Sequence, residues 1–90
     1  MKNLEIVVSG RVQGVNYRAF VLHRANELNI KGYTKNMMNG KVKVIAIGKN
    51  NILNIFINML KEGPPMARIE NIQTSEIIIG EEFSDFSIKY

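Results

Sequence analysis

Ile30-Lys31-Gly32-Tyr33-Thr34-Lys35-Asn36-Met37-Met38-Asn39-Gly40-Lys41-Val42-Lys43-Val44-Ile45-Ala46-Ile47-Gly48 is the stretch around which the rest of the chain is organised. It reads as two strands, Ile30 to Met38 and Lys41 to Gly48, joined through Asn39-Gly40. An Asn-Gly pair suits a type I′ turn, in which both central residues take positive φ, so a tight antiparallel hairpin is expected. Just before it, Tyr17, Val21, Ala25 and Leu28 recur at helical spacing and share one face of a helix from Tyr17 to Leu28. Asn29 tolerates the left-handed conformation and is the expected stop. Just after the hairpin, Ile52, Ile55, Phe56, Met59 and Leu60 form the core stripe of a second helix, Ile52 to Lys61. Asn50 or Asn51 is its expected N-cap, and Gly63 with Pro64-Pro65 ends it.

Further out, Leu4 to Ser9 reads as a buried strand and Arg68 to Ile79 as a long strand with room for a bulge. Phe86, Ile88 and Tyr90 alternate with Ser87 and Lys89, as a short last strand would. The expected fold class is α+β. It is a ferredoxin-like βαββαβ sandwich, a mainly antiparallel sheet with two helices on one face and a short extra C-terminal strand. Ninety residues make one domain, 1–90, with a small core.

Composition narrows the chemistry. Hydrophobic residues are 46% of the chain, ordinary for a folded domain and too many for a disordered one. With no cysteine, disulfides, thiolate metal sites and cysteine nucleophiles are excluded. The first residues lead straight into a strand pattern without a signal-peptide stretch, and no apolar run approaches the ~20 residues of a membrane-spanning helix. A cytoplasmic protein without membrane attachment is expected. Net charge is +4 and the pI about 9.6, with lysines and arginines scattered rather than in a block. Such a surface attracts nucleic acid, anionic lipid or a small anionic substrate through its field.

The chemistry concentrates in Gly10-Arg11-Val12-Gln13-Gly14-Val15-Asn16-Tyr17-Arg18, which joins the first strand to the first helix. A helix N-terminus presents unpaired N–H groups and partial positive charge, and the two glycines let the backbone aim amides into one concavity. Arg18 in the first turn adds a planar fork of donors. The same residues also fit a plain connection with Arg18 in solvent. No Lys-Ser/Thr pair follows Gly14, so this is no Walker loop. In Gly32-Tyr33-Thr34-Lys35-Asn36, an inward-facing Asn36 would be a neutral donor and acceptor beside the anion site. Alternatively it is a hairpin asparagine bonded to its own backbone.

Other routes to catalysis are poor. His23, the one histidine, lies about 140° around the helix from Arg18 at about 100° per residue, and no nucleophile–base pair or metal cluster is legible. Phosphate-ester hydrolysis calls for metals or an acid to help a poor leaving group. An acyl phosphate expels a carboxylate that needs no proton near neutral pH, so positioning and charge stabilisation suffice.

Gly10 to Arg18 resembles the acylphosphatase signature G-x-V-Q-G-V-x-[FY]-R at every fixed position. Gly32 to Asn36 resembles that family's G-x-V-x-N motif, with Thr34 in place of Val, and Gly63-Pro64-Pro65-Met66-Ala67 resembles its G-P-P-x-A stretch. The resemblance implies hydrolysis of acyl phosphates to carboxylate and inorganic phosphate. Arg18 and the backbone amides of Val12, Gln13, Gly14, Val15, Asn16 and Tyr17 would bind the phosphoryl group, and Asn36 would orient the attacking water. It also implies no metal and no cofactor, a monomer, a small-molecule acyl phosphate as substrate, inorganic phosphate as product and inhibitor, and no nucleic-acid partner. A hydroxyl at Thr34 that pulled its strand out of register would misplace Asn36. Two rivals share the plan: the carbamoyl-phosphate-handling domain of hydrogenase maturation proteins, and an RNA-recognition module, which needs stacking aromatics on its central strands.

Overall fold

The computed structural model describes residues 1–90. In chain order it contains β1 (Lys2–Arg11), α1 (Tyr17–Glu27), β2 (Lys31–Asn36), β3 (Val42–Gly48), α2 (Asn50–Glu62), β4 (Arg68–Glu76) and β5 (Phe86–Lys89). The strands form one sheet in the order β4-β1-β3-β2-β5. Every pairing is antiparallel except that of β2 with β5. This is the expected βαββαβ sandwich with its extra strand.

Strand alternation sends Leu4, Ile6 and Val8 of β1 and Val42, Val44 and Ala46 of β3 to one face, where all are buried. Both helices cover that face, α1 over β2 and β5, α2 over β3 and β4. Tyr17, Val21 and Ala25 of α1 fill the interior as their spacing requires, and Asn29 ends the helix with φ 55°. The Phe56 ring of α2 meets Phe86 of β5 edge-on at 6.3 Å.

Four local expectations are corrected. The hairpin turn is not type I′, because Asn39 does not take positive φ. The Gly40 N–H instead donates to the Met37 carbonyl at 3.2 Å, Gly40 alone is left-handed at φ 88°, and the Met37 N–H donates to Lys41 at 2.8 Å. That is a three-residue connection closed by a glycine bulge, so β2 stops at Asn36, earlier than the apolar pattern implies, and β3 starts one residue later, at Val42. Helix α2 begins at Asn50 with extended Lys49 as its N-cap and no side-chain cap. The Asn50 amide is instead an acceptor for Lys2 Nζ at 2.9 Å. On α2 the buried stripe is Leu53, Phe56 and Leu60, while Ile55 is 45% exposed. The helix begins two residues earlier than the pattern implied, and its apolar residues extend beyond one face, so packing rather than periodicity chose which went in. Finally, β4 ends at Glu76. Its bulge is present: Ser9 faces Asn71 and Gly10 faces Ile69, leaving Glu70 unpaired. Gly10 is required there, since at φ 125° a Cβ would sit 2.1 Å from the Arg68 carbonyl oxygen.

Because β4 and β5 are opposite edges, segment 77–85 crosses the sheet on its helix-free face, where the Phe83 ring packs tilted against Tyr33 with centroids 5.8 Å apart. The same face gathers charges that are scattered in sequence. Lys43 of β3 lies opposite Lys35 of β2, which lies opposite Lys89 of β5. Like charges facing each other across strands are destabilising. The Lys43 and Lys89 ammonium groups turn onto the Tyr33 ring, at 5.8 and 4.1 Å from its centroid. No helix is long and apolar enough to cross a membrane.

The α2 correction is directly testable by urea denaturation. Leu53→Ala removes a fully buried side chain and is expected to lower unfolding free energy by ~2–5 kcal/mol. Ile55→Ala is expected to stay within ~0.5 kcal/mol of the parent. The reverse order would restore the stripe read from spacing.

Candidate active site

Beyond β1 the chain must turn from the sheet end into α1 within residues 12–16. Val12 and Val15 anchor this loop by pointing into the core, at 1% and 7% exposure. Gly14 and Asn16, on either side of Val15, both take left-handed φ, 74° and 68°. Alternation of this kind turns successive amides toward one concavity, and asparagine tolerates the conformation better than other side chains do. Asn16 is the N-cap of α1 but makes no side-chain cap bond. The first-turn amides are thus not capped by a side chain, at the positive end of the helix dipole.

Arg18 lies half-buried in that first turn. Its Nη1 donates to the Lys89 carbonyl at 3.4 Å, and its guanidinium carbon stands 4.9 Å from the Tyr90 ring centroid. The carbonyl contact is long, so the last strand orients the fork without consuming it. A cleft of ≈ 230 Å³ opens between the start of α1 and the end of β5. Gly14, Asn16 and Arg18 supply its polar wall, Val12, Ile88 and Tyr90 an apolar one, and no acidic side chain lines it. Such a cleft suits an anion with an organic substituent. The roles of Ile88 and Tyr90 were not legible in sequence. Their alternation signalled a strand, but only its parallel pairing beside β2 brings them to Arg18.

The structure therefore brings together Val12, Gly14, Asn16, Tyr17 and Arg18. Gln13, Val15 and Asn36 are not part of the cleft wall. Asn36 is the last residue of β2, two residues beyond Thr34, whose register partner is the cleft residue Ile88. It shares the helix-facing side of the strand with Thr34 and lies at the cleft end of the sheet. Its Oδ1 is buried and has no hydrogen-bond partner, so it is not bonded back to its own backbone. Thr34 does not disturb this placement. Its hydroxyl is fully buried and donates to the Lys43 carbonyl at 3.1 Å, and β2–β3 register runs unbroken from Lys31–Ile47 to Asn36–Val42. Gly32 keeps that ladder close: its φ is 137°, and a Cβ would fall 1.9 Å from the Ile45 carbonyl oxygen.

Gln13 shows a second feature that sequence reading missed, having assigned it only a backbone amide. Its side-chain Nε2 donates to the Met37 carbonyl at 2.8 Å and to the Lys41 carbonyl at 2.9 Å, across the mouth of the hairpin. Tyr17 ties the other end of the loop down, its hydroxyl donating to the Leu60 carbonyl at 2.9 Å. Burial pushes the Tyr17 phenol well above its ordinary range, because the phenolate would be desolvated. His23 is exposed, and no three His, Asp or Glu side chains converge as a metal site. The central strands β1 and β3 carry no aromatic residue, so the stacking platform of an RNA-recognition sheet is missing.

A family model described as acylphosphatase matches residues 4–88. An acylphosphatase of Archaeoglobus fulgidus is 41% identical over 87 residues, 97% of each chain. One of Thermus thermophilus is 45% identical over 82 residues, 91% of this chain and 90% of its own. The crystal structure of acylphosphatase from Bacillus subtilis superposes with TM-score 0.95 at 37% identity, covering all of both chains. Full-length HypF in its phosphate- and nucleotide-bound form matches with TM-score 0.90 at 32% identity, over 99% of this chain but 12% of that one.

The Tyr17 bond carries a signed pH prediction. Its folded-state pKa is raised, so its contribution to stability is complete below the unfolded value of about 10 and is lost as pH rises above it. Thermal melts should show the parent losing stability above about pH 10 more steeply than Tyr17→Phe, which has no proton to lose. Parallel curves would mean that the phenol is not desolvated.

Proposed function

The chain belongs to the acylphosphatase family and hydrolyses acyl phosphates; we propose that it does so without a metal, by water attack on a phosphoryl group held by Arg18 and the loop amides. One observation carries this reading. Arg18, a left-handed loop and a helix N-terminus with no side-chain cap converge on one cleft, and an unpaired buried amide oxygen lies at the adjoining strand end.

In this mechanism the phosphoryl oxygens take N–H donors from the 12–17 backbone while the Arg18 fork binds them in two-pronged fashion. The acyl group extends along the apolar wall. Asn36 Oδ1 accepts a hydrogen bond from water and points its lone pair at phosphorus. The new P–O bond forms as the bond to the acyl oxygen breaks, the carboxylate leaves unprotonated, and the water proton passes to a phosphoryl oxygen. Charge grows on groups already facing fixed donors, so little reorganisation is needed. Inorganic phosphate, the product, fits the same donors and inhibits.

Purified protein should release phosphate from benzoyl phosphate at an undiminished rate in excess chelator. Loss of activity restored by a divalent ion would refute the metal-free mechanism. Arg18→Lys keeps the charge but loses the fork, so both turnover and inhibition by phosphate should weaken. Near-normal phosphate inhibition in that variant would remove Arg18 from the phosphate site. Asn36→Ala should behave differently. Turnover is expected to fall ~10²–10³-fold, the usual effect of losing one transition-state hydrogen bond, while phosphate inhibition stays unchanged. A folded Asn36→Ala enzyme with parental turnover would leave Asn36 a hairpin residue.

A further inference from the structure

The reading of Asn36 as the water-orienting group raises a question of position. The phosphoryl site belongs to the β1–α1 loop, and Asn36 to a different element, the β2–β3 hairpin. The loop lies beyond the sheet ladder, and Asn36 is the last paired residue of β2. Asn36 Oδ1 has no partner of its own, so no side-chain bond fixes it relative to the loop. Gly14, beyond Gln13, is exposed, with no atom within 4 Å of where its Cβ would be, so that part of the loop has little packing to hold it.

One side chain spans the gap. The Gln13 amide nitrogen has two protons, and both find backbone carbonyls, Met37 at 2.8 Å and Lys41 at 2.9 Å. Met37 directly follows Asn36, and Lys41 directly precedes Val42, the register partner of Asn36. The same Lys41 carbonyl also accepts the Met37 N–H at 2.8 Å, so Gln13 joins the bond that closes the hairpin. The two contacts are partly buried and link residues 24 and 28 positions apart. A partly buried amide bonded twice to fixed carbonyls is a rigid strut, stronger in position than one bond to a mobile side chain.

We propose that Gln13 is a positioning residue for the hydrolysis: its side chain sets the distance between the phosphoryl-binding loop and Asn36, and so places the attacking water in line with the phosphorus. This rests on the water-orienting role of Asn36, through which Gln13 acts. Gln13 does not touch the reacting atoms with its side chain. Misplacement of a reacting group by about 1 Å costs up to ~10²-fold in rate, so the strut affects turnover far more than it affects binding.

The test is a cycle of four proteins assayed on benzoyl phosphate: parent, Gln13→Met, Asn36→Ala and the double variant. Methionine keeps the length and removes both donors. Circular dichroism checks folding first. If Gln13→Met does not fold, Gln13→Asn takes its place, since its arm is one methylene too short to span both carbonyls. The expected result is a kcat reduced ~10–10²-fold with inhibition by inorganic phosphate unchanged. In the Asn36→Ala background the same substitution should have no further effect on kcat, because the group it positions is gone.

Three outcomes overturn the proposal. Parental kcat in a folded Gln13 variant means that the strut is idle. Weakened phosphate inhibition means that it shapes the anion loop instead of placing Asn36. An equal loss in both backgrounds means that it acts independently of Asn36. Full turnover in Asn36→Ala alone is a different failure. It removes the water-orienting role, and the strut's purpose with it, and it is visible in that single variant whatever Gln13 does.

Discussion

Val42 is the register partner of two residues at once, Val8 on β1 and Asn36 on β2. It is fully buried, as is Val8, and the site depends on this one alignment. The end of β1 delivers the loop proposed to hold the phosphoryl group, and the end of β2 delivers Asn36. Both are placed by pairing with the same residue at the start of β3. Because side chains alternate along a strand, a slip of one residue in either pairing would turn a buried row outward. Burial of Val8, Val42 and Val44 therefore fixes where the two strand ends lie, although none of the three lines the cleft.

Around that alignment the molecule tolerates several locally unfavourable features, and most lie at the cleft end of the sheet. Asn16 takes a left-handed conformation, α1 starts without a side-chain cap, and a buried amide oxygen is left without a partner. Each costs free energy in the unliganded protein. In the proposed mechanism an anion would accept from the uncapped amides and a water would donate to the amide oxygen, while the Asn16 conformation only aims the amides. Other departures lie away from the cleft, since α2 also starts without a side-chain cap and Lys43, Lys35 and Lys89 face one another across strands. By contrast, Gly10 and Gly32 take positive φ where a Cβ would strike backbone, and the Thr34 hydroxyl finds a carbonyl.

The electrostatics follow from topology rather than from composition. The net charge of +4 is modest. Pairing β2 between β3 and β5 nevertheless aligns Lys43, Lys35 and Lys89 across one face, while the cleft on the other side has no acidic lining. The aligned lysines concentrate positive charge at the cleft end of the sheet, which favours the approach of an anion.

The element order, both helices and the loop from Gly10 to Arg18 were legible in the sequence. They rest on short-range rules: the recurrence of Tyr17, Val21 and Ala25, the left-handed stop at Asn29 and the backbone freedom of glycine all act within a few residues. The expectation of an anion site at the loop rests on the same kind of rule, since a helix start and its first-turn arginine are local. The tertiary structure decided what depends on distant partners. It chose Leu53 over Ile55 for the core, and it closed the hairpin with a bulge at Gly40 instead of a type I′ turn. It brought Ile88 and Tyr90 to Arg18 through a parallel pairing that no alternation pattern encodes. It also gave the Gln13 side chain two carbonyls that lie 24 and 28 residues away. A hydrogen bond across that separation has no signature in the linear pattern, because only the finished sheet brings its two ends within reach.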